Sequence, residues 1–244
     1  MESLLPMLMC REIPWEYEEE MKKVQAVLTR SSLYLRIEEE KMDGEAWGNL
    51  WKEAKAAQHQ KGYQQAYRSM EAAAKDTEGE MLFYQSKVCE GVFHRISSGT
   101  TRDGLEVFGK MEKGYGDGYL SGHYFSEGAL REQLEKAYPG LVFTEEPVEN
   151  QINMYKRDKV GHILFLTVGN KTISGEEFRQ LLELPSSNFT MQAADGKIRF
   201  LCKGQGHGLG LSQYGGNVLA KEGKSYKEIL RYYFPECGVQ KKDS

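Results

Sequence analysis

Between Lys203 and Gly216 the chain reads Lys-Gly-Gln-Gly-His-Gly-Leu-Gly-Leu-Ser-Gln-Tyr-Gly-Gly, and six of these fourteen positions are glycine. Glycine reaches positive φ and lets backbone approach closely, but it weakens helices and strands, so this density serves shape rather than packing. Among the glycines stand His207, Ser212, Gln213 and Tyr214, whose side chains offer hydrogen-bond donors and acceptors. Together they describe a shaped loop lining a ligand site. On the loop alone, a flexible turn remains the competing reading. The alternation Gly204, Gly206, Gly208, Gly210 is neither the dinucleotide fingerprint nor a phosphate loop, because the glycine offsets and the terminal Lys-Ser/Thr are missing. An amphipathic helix is expected from Asn217 to Phe234, burying Val218, Leu219, Ile229, Leu230 and Tyr233 and pinning the end of the loop.

The segment from Gly206 to Gly216, followed by Ala220-Lys-Glu-Gly-Lys-Ser-Tyr-Lys-Glu-Ile-Leu and Tyr232-Tyr-Phe-Pro235, closely resembles the signature of the stage II sporulation protein D family. That signature ends its loop in Gly-Ala, where this chain has Gly215-Gly216. A second match lies near the start, at Arg11-Glu-Ile-Pro14 and then Gln25, Ala26, Val27 and Arg30, with Ser31-Ser32 in place of the usual Thr-Tyr. A third runs from Phe93 to Thr101, where His94, Ser97, Gly99 and Thr101 agree and Arg95, Ile96 and Ser98 depart. The resemblance extends from about Leu4 to Val239. It implies that Glu12 is the catalytic carboxylate. Read without the resemblance, a glutamate at a helix entrance is a dipole partner or a solvated charge, and a histidine ending a strand is a structural residue.

The elements that must hold these residues follow from periodicity. Leu4 to Met9 reads as a short opening helix or a buried strand. Met21, Val24, Leu28, Ser31 and Leu35 mark one face of a long helix that begins near Pro14 and runs to about Lys41. Trp47 to Lys75 gives a second helical region, broken around Lys61-Gly62, with Trp47, Leu50, Trp51 and Ala54 on one face. Met81–Tyr84 and Val88–His94 suggest a β-hairpin. Gly109 to Glu127 reads as a surface loop carrying His123, and Glu127 to Tyr138 as a helix. Ile163–Val168 and Lys171–Ile173 read as paired strands, and Ser174 to Leu184 as a helix with a capping box from Ser174 to Glu177. Asp195-Gly196 turns the chain into strand Lys197–Lys203, which delivers it to the glycine loop. The expected fold is α+β: long N-terminal helices packed with antiparallel hairpins around a central substrate cleft, then a C-terminal helix after the loop. One domain over residues 1–239 is expected, with room for two lobes, followed by a disordered tail over 240–244.

A formal net charge of −4 across 244 residues argues against nucleic acid as a partner. Cys10, Cys89, Cys202 and Cys237 are scattered, with no zinc-finger spacing, and read as small buried residues, one or two bridges remaining open. Some relatives add a cysteine beside the histidine turn to bind zinc, but this chain has Ser97 and Ser98 there, so no metal and no cofactor are expected. No stretch reaches the ~20 apolar residues of a membrane span. The resemblance implies an N-terminal anchor upstream and a place on the extracytoplasmic face of the membrane.

It further implies a peptidoglycan lytic transglycosylase acting in engulfment during sporulation, which cuts the bond between N-acetylmuramic acid and N-acetylglucosamine in peptide-stripped strands and leaves 1,6-anhydro ends. A single carboxyl suffices for that chemistry, because the substrate's own 6-hydroxyl attacks, whereas a hydrolase uses two. On the expected layout the helix start at Glu12 favours carboxylate, so desolvation by Met9, Ile13 or Trp15 must oppose it to keep an acid. His94, Ser97, His207, Ser212, Gln213 and Tyr214 would bind the glycan. The stage II sporulation protein P amidase and a membrane-anchored engulfment complex are the implied partners. Two alternatives remain open: a noncatalytic cell-wall-binding or amidase-modifying module, and a metallohydrolase built on Glu12, His94 and His207.

Overall fold

Two prolines bound the first helix, α1 (Leu5–Glu12). Pro6 sits in its first turn, where a missing N–H costs nothing. Pro14 restricts the residue before it, and Ile13 is extended (φ −136°, ψ 141°), so α1 stops at Glu12. The computed structural model describes residues 1–39, 44–55, 58–59, 61–97 and 120–242. Next come α2 (Glu19–Glu39), α3 (Gly44–Lys55), α4 (Tyr63–Asp76), β1 (Glu80–Tyr84), β2 (Lys87–Val88) and β3 (Phe93–His94). The middle of the chain holds β4 (Leu120–Phe125), α5 (Glu127–Ala137), a 3-10 turn (Val148–Gln151), β5 (Ile152–Arg157), β6 (Ile163–Val168) and β7 (Lys171–Ser174). It continues with α6 (Gly175–Leu181), β8 (Phe189–Ala194), β9 (Lys197–Lys203) and β10 (Leu211–Ser212). Last are α7 (Gln213–Lys221), α8 (Tyr226–Tyr233) and β11 (Gly238–Lys241). The fold class is α+β. The chain divides into two compact units, Met1–Phe93 with Gln213–Ser244, and His94–Ser212.

In the first unit α2 is the central element, in contact with α1, α4, α7, α8 and β1. Its expected apolar stripe is buried at Met21, Val24, Leu28 and Ser31, with Leu35 half-buried. Because neighbours surround it, Lys22, Gln25, Thr29 and Arg30 are buried as well. Each is hydrogen-bonded, which is what makes their burial tolerable. Ser31 Oγ donates to Val27 O at 2.8 Å and accepts from Leu82 N–H at 2.8 Å, stitching α2 to β1. A satellite core of Leu4, Met7, Leu8, Leu33, Leu50 and Ala54 joins α1, α2 and α3. Trp51, expected on that face, is instead 42% exposed beneath the Lys55 ammonium.

Pro14 lies in a turn rather than in the first turn of α2, whose opening N–H at Glu18 is capped by Asn217 Oδ1 at 2.8 Å. The single helix expected from Asn217 to Phe234 is two: Gly223 turns the chain at φ 87°, and Ser225 with Glu228 forms a capping box that starts α8. The tail expected to be disordered pairs through Lys241, with β11 lying antiparallel on β1 (Met81 opposite Gln240, Leu82 opposite Val239); residues 243–244 fall outside the described residues. Gly216, alanine in the family signature, has its own cause. A Cβ there would lie 2.5 Å from Met21 Sδ, so the sulfur fills the space an alanine methyl would take.

In the second unit two antiparallel sheets, ordered β4-β9-β8 and β5-β6-β7, pack with α5 and α6. Phe178, Phe189 and Phe200 meet at ring-centroid distances of 5.4 to 5.7 Å in the middle of the core. The capping box of Ser174 and Glu177 starts α6 as expected. The expected surface loop over 109–127 is corrected over its last part: His123 stands on β4, opposite Phe200 of β9. Residues 109–119 fall outside the described residues. Among the described residues, no helix is long and apolar enough to cross a membrane.

Candidate active site

Glu12 closes α1, and its location reverses one expectation. It does not stand at the positive start of the long helix but at the C-terminal, negative end of a short one, where the helix dipole disfavours a carboxylate. Gln25 and Thr29, one turn apart on α2, both reach the same carboxylate oxygen. Gln25 Nε2 donates to Glu12 Oε2 at 2.9 Å, and the Thr29 hydroxyl donates to that oxygen too. Gln25 Nε2 also donates to Thr29 Oγ1 at 3.1 Å, which leaves the threonine proton for Glu12. Gln213, the first residue of α7, completes the set. Its Nε2 donates to the main-chain oxygen of Glu12 at 2.8 Å and to Gln25 Oε1 at 2.9 Å. A helix-terminal carbonyl that α1 itself leaves unsatisfied is thus held by a residue of the glycine block. Glu12 is half-buried, while Gln25, Thr29 and Gln213 are buried. Tyr214, half-buried in the first turn of α7, stands outside these hydrogen bonds.

His94, Ser97, His207 and Ser212 belong to the second unit. Here Gly204, Gly206, Gly208 and Gly210 all have positive φ, between 69° and 105°, so the alternation in the sequence is an alternation of left-handed backbone. Main-chain bonds hold the loop: Ile96 and Gln205 exchange hydrogen bonds of 3.1 and 2.7 Å, and Gly206 N–H donates to Pro185 O at 2.7 Å. At Gly206 an added Cβ would come 2.8 Å from the His94 Cβ, so the loop lies directly on that histidine.

The two peptide groups of Leu209 fix both histidine tautomers. Its carbonyl lies 3.0 Å from His94 Nδ1, which must carry the proton, and its N–H donates at 3.0 Å to His207 Nδ1, which must not. His94 therefore presents a bare Nε2 and His207 an Nε2–H, with ring centroids 5.9 Å apart. His94 Nε2 and Ser97 Oγ are both buried without a hydrogen-bond partner among the described residues. Ser212 is fully buried in β10.

Burial pushes the His94 pKa down to about 3, opposed by the Leu209 carbonyl and helped by His207 and His162. The sign of the linkage follows from that. The unfolded chain, with its histidine near 6.5, takes up a proton that the folded chain refuses, so stability present above 6.5 is lost as pH falls toward 3. In urea titrations at pH 7 and pH 4.5, His94→Asn, whose amide can replace Nδ1–H toward Leu209, is expected to shrink the acid-induced loss by about 2 kcal/mol. An unchanged loss would show that His94 is not the group refusing the proton.

A further polar chain went unnoticed in the sequence. His162 Nδ1 lies 2.9 Å from Ser187 Oγ, which donates to Glu176 Oε1 at 2.6 Å. Ser187 is fully buried, so the chain of bonds fastens these segments within the core. Among the described residues, no group of three or more His, Cys, Asp or Glu side chains is placed to hold a metal ion.

Residues 1–84, which include Glu12, Gln25 and Thr29, match the family described as Stage II sporulation protein. The chain is 26% identical to stage II sporulation protein D of Bacillus amyloliquefaciens over 96% of this chain and 72% of that protein. It is 24% identical to the protein of the same name from Bacillus subtilis (strain 168), over 75% of this chain and 54% of that protein. It is also 32% identical to the amidase enhancer of Bacillus subtilis (strain 168), across 36% of this chain and 12% of that protein. The chain thus spans about three quarters of the first of these relatives and about half of the second.

Proposed function

From its membership of the stage II sporulation protein D family, we propose that this chain acts on the cell wall in sporulation, as a peptidoglycan lytic transglycosylase with Glu12 as acid and base. The observation that carries the reading is the hydrogen-bonded set on Glu12, in which Gln25 and Thr29 hold its carboxyl group and Gln213 holds its main-chain oxygen and Gln25 at a helix end. Two donors converge on Oε2, so the proton of the neutral acid belongs on Oε1. From there it passes to the glycosidic oxygen as the bond between muramic acid and glucosamine breaks. The muramic 6-hydroxyl closes on the anomeric carbon, and Glu12 takes its proton, restoring the acid. Neither water nor a second carboxylate enters, in contrast to hydrolysis.

The helix end disfavours negative charge while the Gln25 and Thr29 donors favour it. These opposing influences suit a group that must both give and accept a proton. Gln213 and Tyr214 in the first unit, and His94, Ser97, His207 and Ser212 in the second, are proposed to bind the glycan. The glycan is the substrate partner, with an extracytoplasmic site of action, the protein P amidase as a co-acting enzyme and a membrane-anchored engulfment complex as its setting. The similarity to an amidase enhancer favours one other reading, a module that modifies an amidase and cleaves nothing. The test is incubation with purified, peptide-stripped glycan strands and mass spectrometry of the products. Anhydro-muramic ends are expected. Reducing ends would mean hydrolysis, and intact strands would leave the amidase-modifying reading.

A further inference from the structure

Cys89 follows β2 and Cys237 precedes β11. They are 148 positions apart in the chain, yet their Sγ atoms are 3.8 Å apart. Both backbones are anchored beside β1. Cys89 N–H donates to Leu82 O at 2.9 Å, Cys237 N–H donates to Phe234 O at 3.0 Å, and Phe83 pairs with Val88 on one side and Gly238 on the other. Both thiols are half-buried, open enough for a small reagent, whereas Cys202 is buried. The two are also unlike each other. The contact between the two thiols, in which either sulfur can donate, holds the Cys237 pKa below the ordinary thiol value and the Cys89 pKa above it. Burial alone pushes Cys10 up to about 11.

We propose that Cys89 and Cys237 are the site of an intrachain disulfide, formed by exchange with a small-molecule or protein disulfide. The Cys237 thiolate attacks one sulfur of the oxidant, whose S–S bond breaks and releases one thiolate. Cys89 then gives up its proton and attacks Cys237 Sγ, releasing the second thiolate. Two cysteine thiols lose two electrons and the oxidant becomes two thiols.

The consequence follows from chain topology. The first unit is built from two separate segments, Met1–Phe93 and Gln213–Ser244, with the whole of His94–Ser212 inserted between them. The bond joins the end of one segment to the other and encloses the insertion in a covalent loop. A loop of that length removes much unfolded-state entropy, so the bond acts as a staple on the first unit.

The test treats the full chain with oxidised glutathione, then measures intact mass, a non-reducing tryptic map and thermal melting. The expected result is a loss of two hydrogens. One linked peptide pair is expected, joining Val88–Arg95 to Tyr232–Lys241, with a melting temperature raised by about 5–10 °C and reversed by dithiothreitol. Cys89→Ser should stop at a single glutathione adduct on Cys237. Stable adducts on both cysteines of the unaltered chain, or a link through Cys10, would overturn the proposal. A correct link with no rise in melting temperature would overturn the staple.

Discussion

Glutamine at position 12 is expected to lower the yield of anhydro-muramic ends by about 10²–10⁴-fold while the chain stays folded. Glu12→Gln keeps an oxygen that can accept from Gln25 and Thr29. The two Gln213 bonds go to the main-chain oxygen of residue 12 and to Gln25, which the substitution does not alter. What disappears is a proton that can be given and taken back. Melting curves that coincide with those of the unaltered chain, beside a collapsed rate, would separate the chemistry from the scaffold. Gln25→Ala should act more weakly, about tenfold, because it loosens the carboxyl without removing it. Full activity in Glu12→Gln would end the acid/base assignment. Loss of activity with loss of fold would be read instead from Glu12→Asp, which keeps the proton and shortens its reach.

Arg30→Met is expected to be the most damaging substitution for stability, at about 3–5 kcal/mol. Its guanidinium is fully buried and every side of it is used. Nε and Nη2 meet the two Glu2 carboxylate oxygens at 2.8 and 3.0 Å, Nη2 also reaches Ala74 O at 2.9 Å, and Nη1 reaches Glu80 O at 2.9 Å. One side chain therefore ties the start of the chain, the C-terminal carbonyls of α4 and the first residue of β1 to the central helix. Removing it strips the Glu80 carbonyl of this donor and leaves Ala74 O with only the 3.4 Å bond from the Thr77 hydroxyl, a heavier cost than the lost attraction itself. Lysine would keep the charge without the planar fork and recover only part of the loss. Glu2→Gln should cost no more than about 1 kcal/mol, since Glu2 is 40% exposed and solvent screens the pair. Urea midpoints of the three variants give the ranking. Equal losses for Arg30→Met and Glu2→Gln would show that the ion pair, rather than the carbonyls, is what matters.

Local patterns were legible without the structure. The apolar stripe of α2, the break near Gly62, the strand pair around Gly169-Asn170 and the capping box at Ser174 each rest on contacts within a few residues, so spacing alone reveals them. The glycine block was legible for the same reason, since alternating left-handed backbone writes itself as alternating glycine. Where the reading missed, a distant partner decided. The strand with His123 exists because β9 pairs with it, and the tail through Lys241 is ordered because β1 offers an edge. The start of α2 is capped by a side chain 199 positions away. Residue type and order established that a glutamate, two glutamines, a threonine and a glycine loop are present, and their resemblance to a known signature suggested a role. Only the tertiary structure decided that Glu12 ends a helix rather than begins one, and that Gln25, Thr29 and Gln213 hold it. That difference is electrostatic and nonlocal: the sign of a helix end and the number of donors on one oxygen depend on which segments meet.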